Sequence, residues 1–248
     1  MKGTFFNKPL EWNIETQGES WQQGETLKGK IRVKNHGTEN LDLSDSGVGL
    51  SHAEIKKIQN KVEGALRSEF TIPMGSLNIK GGEEIQTDFT FKIGSNNPVT
   101  DKKSSYYLCF GKHFNEAQLQ IKIVPKELYL KVSGLLDTFY RFKLKEFKAV
   151  KKGVEFKFIP PTSREMANIE HLLLTYSMEE DHLKMSFLFQ VKKLDTSSVK
   201  TKINKESVHI LRTLIPKDYS LGKDLINQDQ LLKTIDEVLK EVKMNNVF

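Results

Sequence analysis

The sequence has 248 residues, 38% hydrophobic and 28% charged, a balance that excludes a low-complexity chain and suits one large domain or two of ordinary size. Its one cysteine, Cys109, leaves no internal disulfide, and no apolar run approaches the roughly 20 residues of a membrane-spanning helix. The net charge of +6 concentrates between residues 125 and 200, where 14 basic residues stand against 10 acidic ones; the dense basic stripe with interleaved aromatics expected of a nucleic-acid binder is missing.

The opening residues, Met1 to Pro9, hold no apolar core of a leader peptide. The expectation is a cytoplasmic protein. From there to about Val124 the chain reads as strands. In Thr26 to Lys34, Leu27, Ile31 and Val33 alternate with Lys28, Lys30, Arg32 and Lys34, the pattern of a half-buried strand ended by Asn35-His36-Gly37. Phe89, Phe91 and Ile93 alternate with Thr90 and Lys92 after a turn at Lys80-Gly81-Gly82-Glu83. Tyr106 to Phe110 and Leu119 to Ile123 complete the block, and Pro125 marks its boundary.

One segment predicts a helix. Ser51-His52-Ala53-Glu54 has the form of a capping box, and Ile55, Ile58, Val62 and Leu66 follow at helical spacing, so an amphipathic helix is expected over about 52–67, weakened by Gly64.

The second block, about 126–195, again predicts strands. Phe142 and Leu144, then Phe156 and Phe158, alternate with charged residues on either side of Lys151-Lys152-Gly153. His171 to Tyr176 and Leu183 to Phe189 form a hairpin around Glu179-Glu180-Asp181. Thr196-Ser197-Ser198 opens a linker, and Val208 to Ile215 is one more strand stopped by Pro216. A terminal helix capped by Asn227 then lines up Leu231, Leu232, Ile235, Val238, Leu239 and Val242. That stripe must be buried, on the second domain itself or in a partner, including a second copy.

The run Ser20 to Asn35, with Trp21, the Gln23-Gly24-Glu25 turn, Leu27-Lys28-Gly29 and an alternating strand, resembles an early-strand motif of the arrestin-like superfamily. Gly81 to Glu84 before Phe89-Thr90-Phe91, and Ile123-Val124-Pro125, are similar to later points of the first domain. Val154 to Pro160, Ile169 to Leu172 and Leu183 to Val191 resemble the second domain of its bacterial sporulation-control branch. The resemblance covers about residues 12–195. It implies a mostly β fold of two consecutive arrestin-like β-sandwich domains, 1–125 and 126–215, with one inserted helix and a C-terminal helical extension, 216–248. It also implies a scaffold or adaptor without enzymatic activity. The chain departs from the family at Gln23, where proline is frequent, and at the two helices. The arrestin phosphate-sensing residues match no positions here.

The residues themselves point away from catalysis. Six scattered histidines and one cysteine lack zinc-site spacing. No Gly-x-Ser-x-Gly elbow occurs, Cys109 sits in an apolar strand where thiols are inert, and Gly47-Val48-Gly49 lacks the third glycine of a dinucleotide loop. No cofactor is expected. Alternation places Arg141, Lys143 and Lys145 on one strand face, with Lys157 beside them across a hairpin. That face suits an acidic protein or an anionic membrane surface, or is simply a solvated face that resists aggregation. The leading expectation is a non-enzymatic, protein-binding adaptor in signalling or developmental regulation. The alternatives are a ligand-binding or enzymatic β-protein with a site in the inter-domain cleft, and a peripheral membrane binder.

Overall fold

The computed structural model describes residues 1–66, 68, 70–75, 78–195, 202–222 and 225–245. The chain divides into two compact units, Met1–Val124 and Pro125–Phe248. The fold is mostly β, as expected.

The first unit opens with β1 (Lys2–Asn7), β2 (Leu10–Thr16), β3 (Ser20–Gln22), β4 (Thr26–Asn35) and β5 (Leu41–Asp42). β6 (Ser46–Glu54), the short helix α1 (Ile55–Gln59), β7 (Phe70–Pro73) and β8 (Asn78–Ile79) follow, then β9 (Glu84–Lys92), β10 (Ser104–Lys112) and β11 (Ala117–Val124). A four-stranded sheet, β1-β2-β4-β9, lies against a five-stranded one, β3-β11-β10-β6-β7, and one apolar cluster joins them. Trp12, Ile31 and Phe89 come from the first sheet, Leu50, Leu108 and Ile121 from the second. β4 alternates buried and exposed along its length, as its sequence requires. Gly24 takes φ +92° in the turn before it. Gln23 is buried, and its backbone N–H donates to the Val124 carbonyl at 3.1 Å. A proline there would have no N–H to give.

The helix expected over 52–67 is corrected. Ser51 and Glu54 lie in β6, where Ser51 pairs with Tyr107 and Glu54 with Ser104, and Glu54 makes no side-chain cap. The ladder with β10 supplies those backbone groups with partners, which outweighs the local capping pattern. The helix is confined to Ile55–Gln59, and the left-handed residues Lys61 and Gly64 end its periodicity. Ile58 and Leu66 nonetheless pack on Ala53, Tyr107 and Cys109, a small cluster on the outer side of the second sheet.

The second unit begins with a helix where strands were expected, α2 (Glu127–Tyr140). It continues with β12 (Lys143–Val150), β13 (Gly153–Ile159), β14 (Ile169–Glu179), β15 (His182–Asp195) and β16 (Lys202–Leu214). The chain closes with α3 (Pro216–Tyr219), β17 (Ser220–Gly222), β18 (Leu225–Ile226) and α4 (Gln228–Asn245). β12 to β16 form one antiparallel meander in chain order. Its inner face carries Phe156, Phe158, Leu174, Tyr176, Phe187 and Phe189, all buried. The second layer is helical: α2 contributes Tyr129, Val132, Leu135 and Leu136, and α4 contributes Leu231, Ile235, Val238, Leu239 and Val242. Sequence reading misses α2 because its apolar residues run nearly all round it and Gly134 interrupts it. Such a run is indistinguishable from a buried strand by periodicity alone.

α4 starts as expected: Asn227 accepts from the Gln230 N–H at 3.4 Å through its side chain and from the Leu231 N–H at 3.0 Å through its carbonyl. The Tyr140 hydroxyl donates to Asp236 Oδ1 at 2.8 Å, and Arg212 meets Glu241 at 2.7 Å, tying α4 to α2 and β16. The expected linker after Thr196 lies outside the described residues.

Candidate partner-binding face

α2 ends in a left-handed residue, Arg141, at φ 60°. The Arg141 N–H donates to the Asp137 carbonyl at 3.1 Å and the Phe142 N–H to the Leu136 carbonyl at 3.0 Å, a Schellman-type stop usually made by glycine. Phe142 is fully buried and fixes the entry into β12. Arg141 is therefore outside the strand, exposed at the helix end.

β12 then breaks its own alternation. Leu144 pairs with Phe158 and Glu146 with Lys157, so Lys145 is the extra residue of a bulge. Lys143, Glu146 and Lys148 face outward with Glu155 and Lys157 of β13. Lys143 is held by Asp137 at 2.6 Å and Lys148 by Glu155 at 2.8 Å. Arg141, Lys145 and Lys157 make no ion pair among the described residues. Lys143 and Lys157 thus share the outer face near one end of the sheet, while Lys145 sits in the bulge and Arg141 precedes the strand, and the Lys143 charge is met internally by Asp137.

Across the same face the chemistry changes. Lys157 is opposite Leu173, Leu173 opposite Leu188, and Leu188 opposite His209. Leu173 and Leu188 are half-buried, and Leu211 is 64% exposed. His171 stands beside this strip; burial pushes its pKa down, and the nearby Lys157 adds to the effect. Lys205 reaches back to Glu170 at 2.8 Å, and that contact holds the Glu170 carboxyl below its ordinary range. The outward leucines were readable in sequence, since Leu172, Leu173 and Leu174 must alternate across the sheet. The surface is a basic corner next to an aliphatic strip.

Cys109 is buried, and burial pushes its thiol up to about 12. Among the described residues no group of His, Cys, Asp and Glu is placed to hold a metal ion, and no helix is long and apolar enough to cross a membrane. A cavity of about 420 Å³ in the first unit lies between the 58–66 segment and Asn115 to Gln118.

No family model matches the sequence, and no curated protein matches it. Among solved structures the chain is similar to Spo0M, a sporulation control protein from Bacillus subtilis, with a TM-score of 0.62 and 16% identity over 95% of this chain and 99% of that one. A β-glucosidase from Listeria innocua (TM-score 0.25, 11% identity, 46% of this chain and 16% of that) and the secreted serine protease VesC from Vibrio cholerae (0.27, 13%, 82% and 43%) overlap too loosely to bear on the fold. The chain thus has a β-rich fold like that of Spo0M.

Proposed function

We propose that the chain is a non-enzymatic adaptor of the arrestin-like kind, acting in developmental regulation as the name of Spo0M suggests for that protein. The observation that carries this reading is the end-to-end likeness to Spo0M, which spans both units and nearly the whole of each chain. The outer face of the second sheet supports it: Arg141, Lys143, Lys145 and Lys157 border an aliphatic strip, and charge beside apolar surface is how protein partners are steered and then held. The partner is accordingly a protein with an acidic patch.

The experiment is affinity capture from native lysate at low salt with quantitative mass spectrometry. It compares the full chain with a variant carrying Lys143→Glu, Lys145→Glu and Lys157→Glu. The expected result is loss of a defined set of proteins while the melting temperature of the variant stays near that of the parent. Identical capture by a folded triple variant overturns this use of the face.

A further inference from the structure

Two edge strands bound the second sheet, and they differ. β12 has its bulge and Lys143, Lys145 and Lys148, devices that blunt an edge. β16 is 13 residues long and pairs with β15 from Lys202 to Leu214 without a register shift. Among the described residues no strand pairs with its other side. Two of the groups that could guard this edge are turned back over their own sheet. Lys205 reaches Glu170 on β14 at 2.8 Å, and His209 Nε2 meets Ser186 Oγ on β15 at 2.7 Å.

We propose that β16 pairs antiparallel with β16 of a second copy of this chain, about a two-fold axis through His209. A two-fold normal to the sheet keeps both cores on the same side, so paired residues must share a face and the axis must pass through a residue. Passing through Ser207, it sets Lys205 against His209 and leaves Glu206 opposite Val208, both without an acid–base match. Passing through Val208, it sets Lys205 against Leu211. Through His209 it places Glu206 opposite Arg212 of the second copy, twice by symmetry, and Val208 opposite Ile210. Arg212 already binds Glu241 through Nη2 and the Leu211 carbonyl through Nη1, and its guanidinium has donors left for Glu206. Leu211, 64% exposed in the single chain, packs beside Ser207 of the second copy. The product is one continuous sheet of ten strands, twice the five in each copy.

The test is sedimentation velocity on the full chain over a concentration series into the high micromolar range. Dimer formation is expected, weakened at least about tenfold by Glu206→Lys, which sets lysine against Arg212 at both symmetric positions. A His209→Cys variant under mild oxidation gives a covalent dimer, whereas Lys145→Cys on the opposite edge does not. A chain that stays monomeric throughout the series overturns the proposal. So does a dimer whose affinity Glu206→Lys leaves unchanged and which His209→Cys fails to cross-link.

Discussion

The ring of Tyr129 on α2 stacks on that of Tyr176 on β14, with centroids 5.1 Å apart and planes 8° apart. Both are fully buried, and burial holds both hydroxyls above their ordinary pKa. Their polar ends fare differently: the Tyr176 hydroxyl meets Ser133 Oγ at 3.1 Å, while that of Tyr129 has no hydrogen-bond partner among the described residues. Removing an unpaired buried hydroxyl relieves a desolvation penalty; removing a paired one strands its neighbour. Tyr129→Phe should raise the unfolding free energy by up to about 1 kcal/mol, and Tyr176→Phe should lower it by about as much. Urea denaturation of the two variants checks the opposite signs.

Two glycines should respond oppositely to alanine. A Cβ on Gly29 of β4 would meet the Glu15 carbonyl oxygen at 2.5 Å and collide with the Phe89 ring. Backbone cannot yield cheaply there, so Gly29→Ala should cost about 1–3 kcal/mol. Gly134 lies exposed in α2 with nothing within 4 Å of the added atom. Gly134→Ala should stabilise by about 0.5–1 kcal/mol. Thermal melts of both variants decide the matter.

Arg141 combines an exposed charge with a left-handed backbone. Arg141→Gly should stabilise the second unit by about 0.5–1 kcal/mol, because glycine adopts that conformation without strain. It also removes a cation beside the candidate face. Calorimetry alongside partner capture separates the two effects: a higher melting temperature with reduced capture is expected.

The pH dependence carries a sign set by Cys109. Its thiol is held up to about 12 by burial, against about 8.5 in an unfolded chain. Below that unfolded value both states are protonated. Above it the unfolded chain releases its proton first, so stability falls as pH rises towards 12. The buried hydroxyls of Tyr129 and Tyr176 act in the same direction above about pH 10. Denaturation midpoints should decline steadily from about pH 9 upwards, and Cys109→Ala should flatten the first part of that decline. A thiol reagent at neutral pH should label Cys109 only after unfolding.

Within α4, Ile235 is 1% exposed. Ile235→Ala should cost about 2–4 kcal/mol, and deletion of residues 224–248 should lower the melting temperature far more, since it bares the inner face of the sheet. Circular dichroism on both variants reads the difference.

The strands of β4, β9, β13 and β15 were legible because each has one dry face, and alternation records that directly. The 52–67 segment misled because a capping box is a local signal, while the partner of β6 is β10, some fifty residues further on. α2 was hidden by the opposite problem, too much apolar surface for its period to show. The basic corner was half legible: residue types placed Lys143 and Lys157 near one another, but neither the bulge at Lys145 nor the helical stop at Arg141 has a signature in alternation. Charge neutralisation by Asp137 and Glu155 is a tertiary fact.

The short strand β3 lies parallel to the end of β11, pairing Ser20 with Lys122 and Gln22 with Val124, and the Gln23 N–H completes the join. The first unit therefore closes on its own last residues. On a ribosome, the early hairpins can form as they emerge, but Trp21 has no strand beside it until Ile123 has left the exit tunnel. Contacts between such distant points form late. A chain arrested a few residues short of Val124 should present an unfinished sheet with an open edge, the kind of nascent species that chaperones retain.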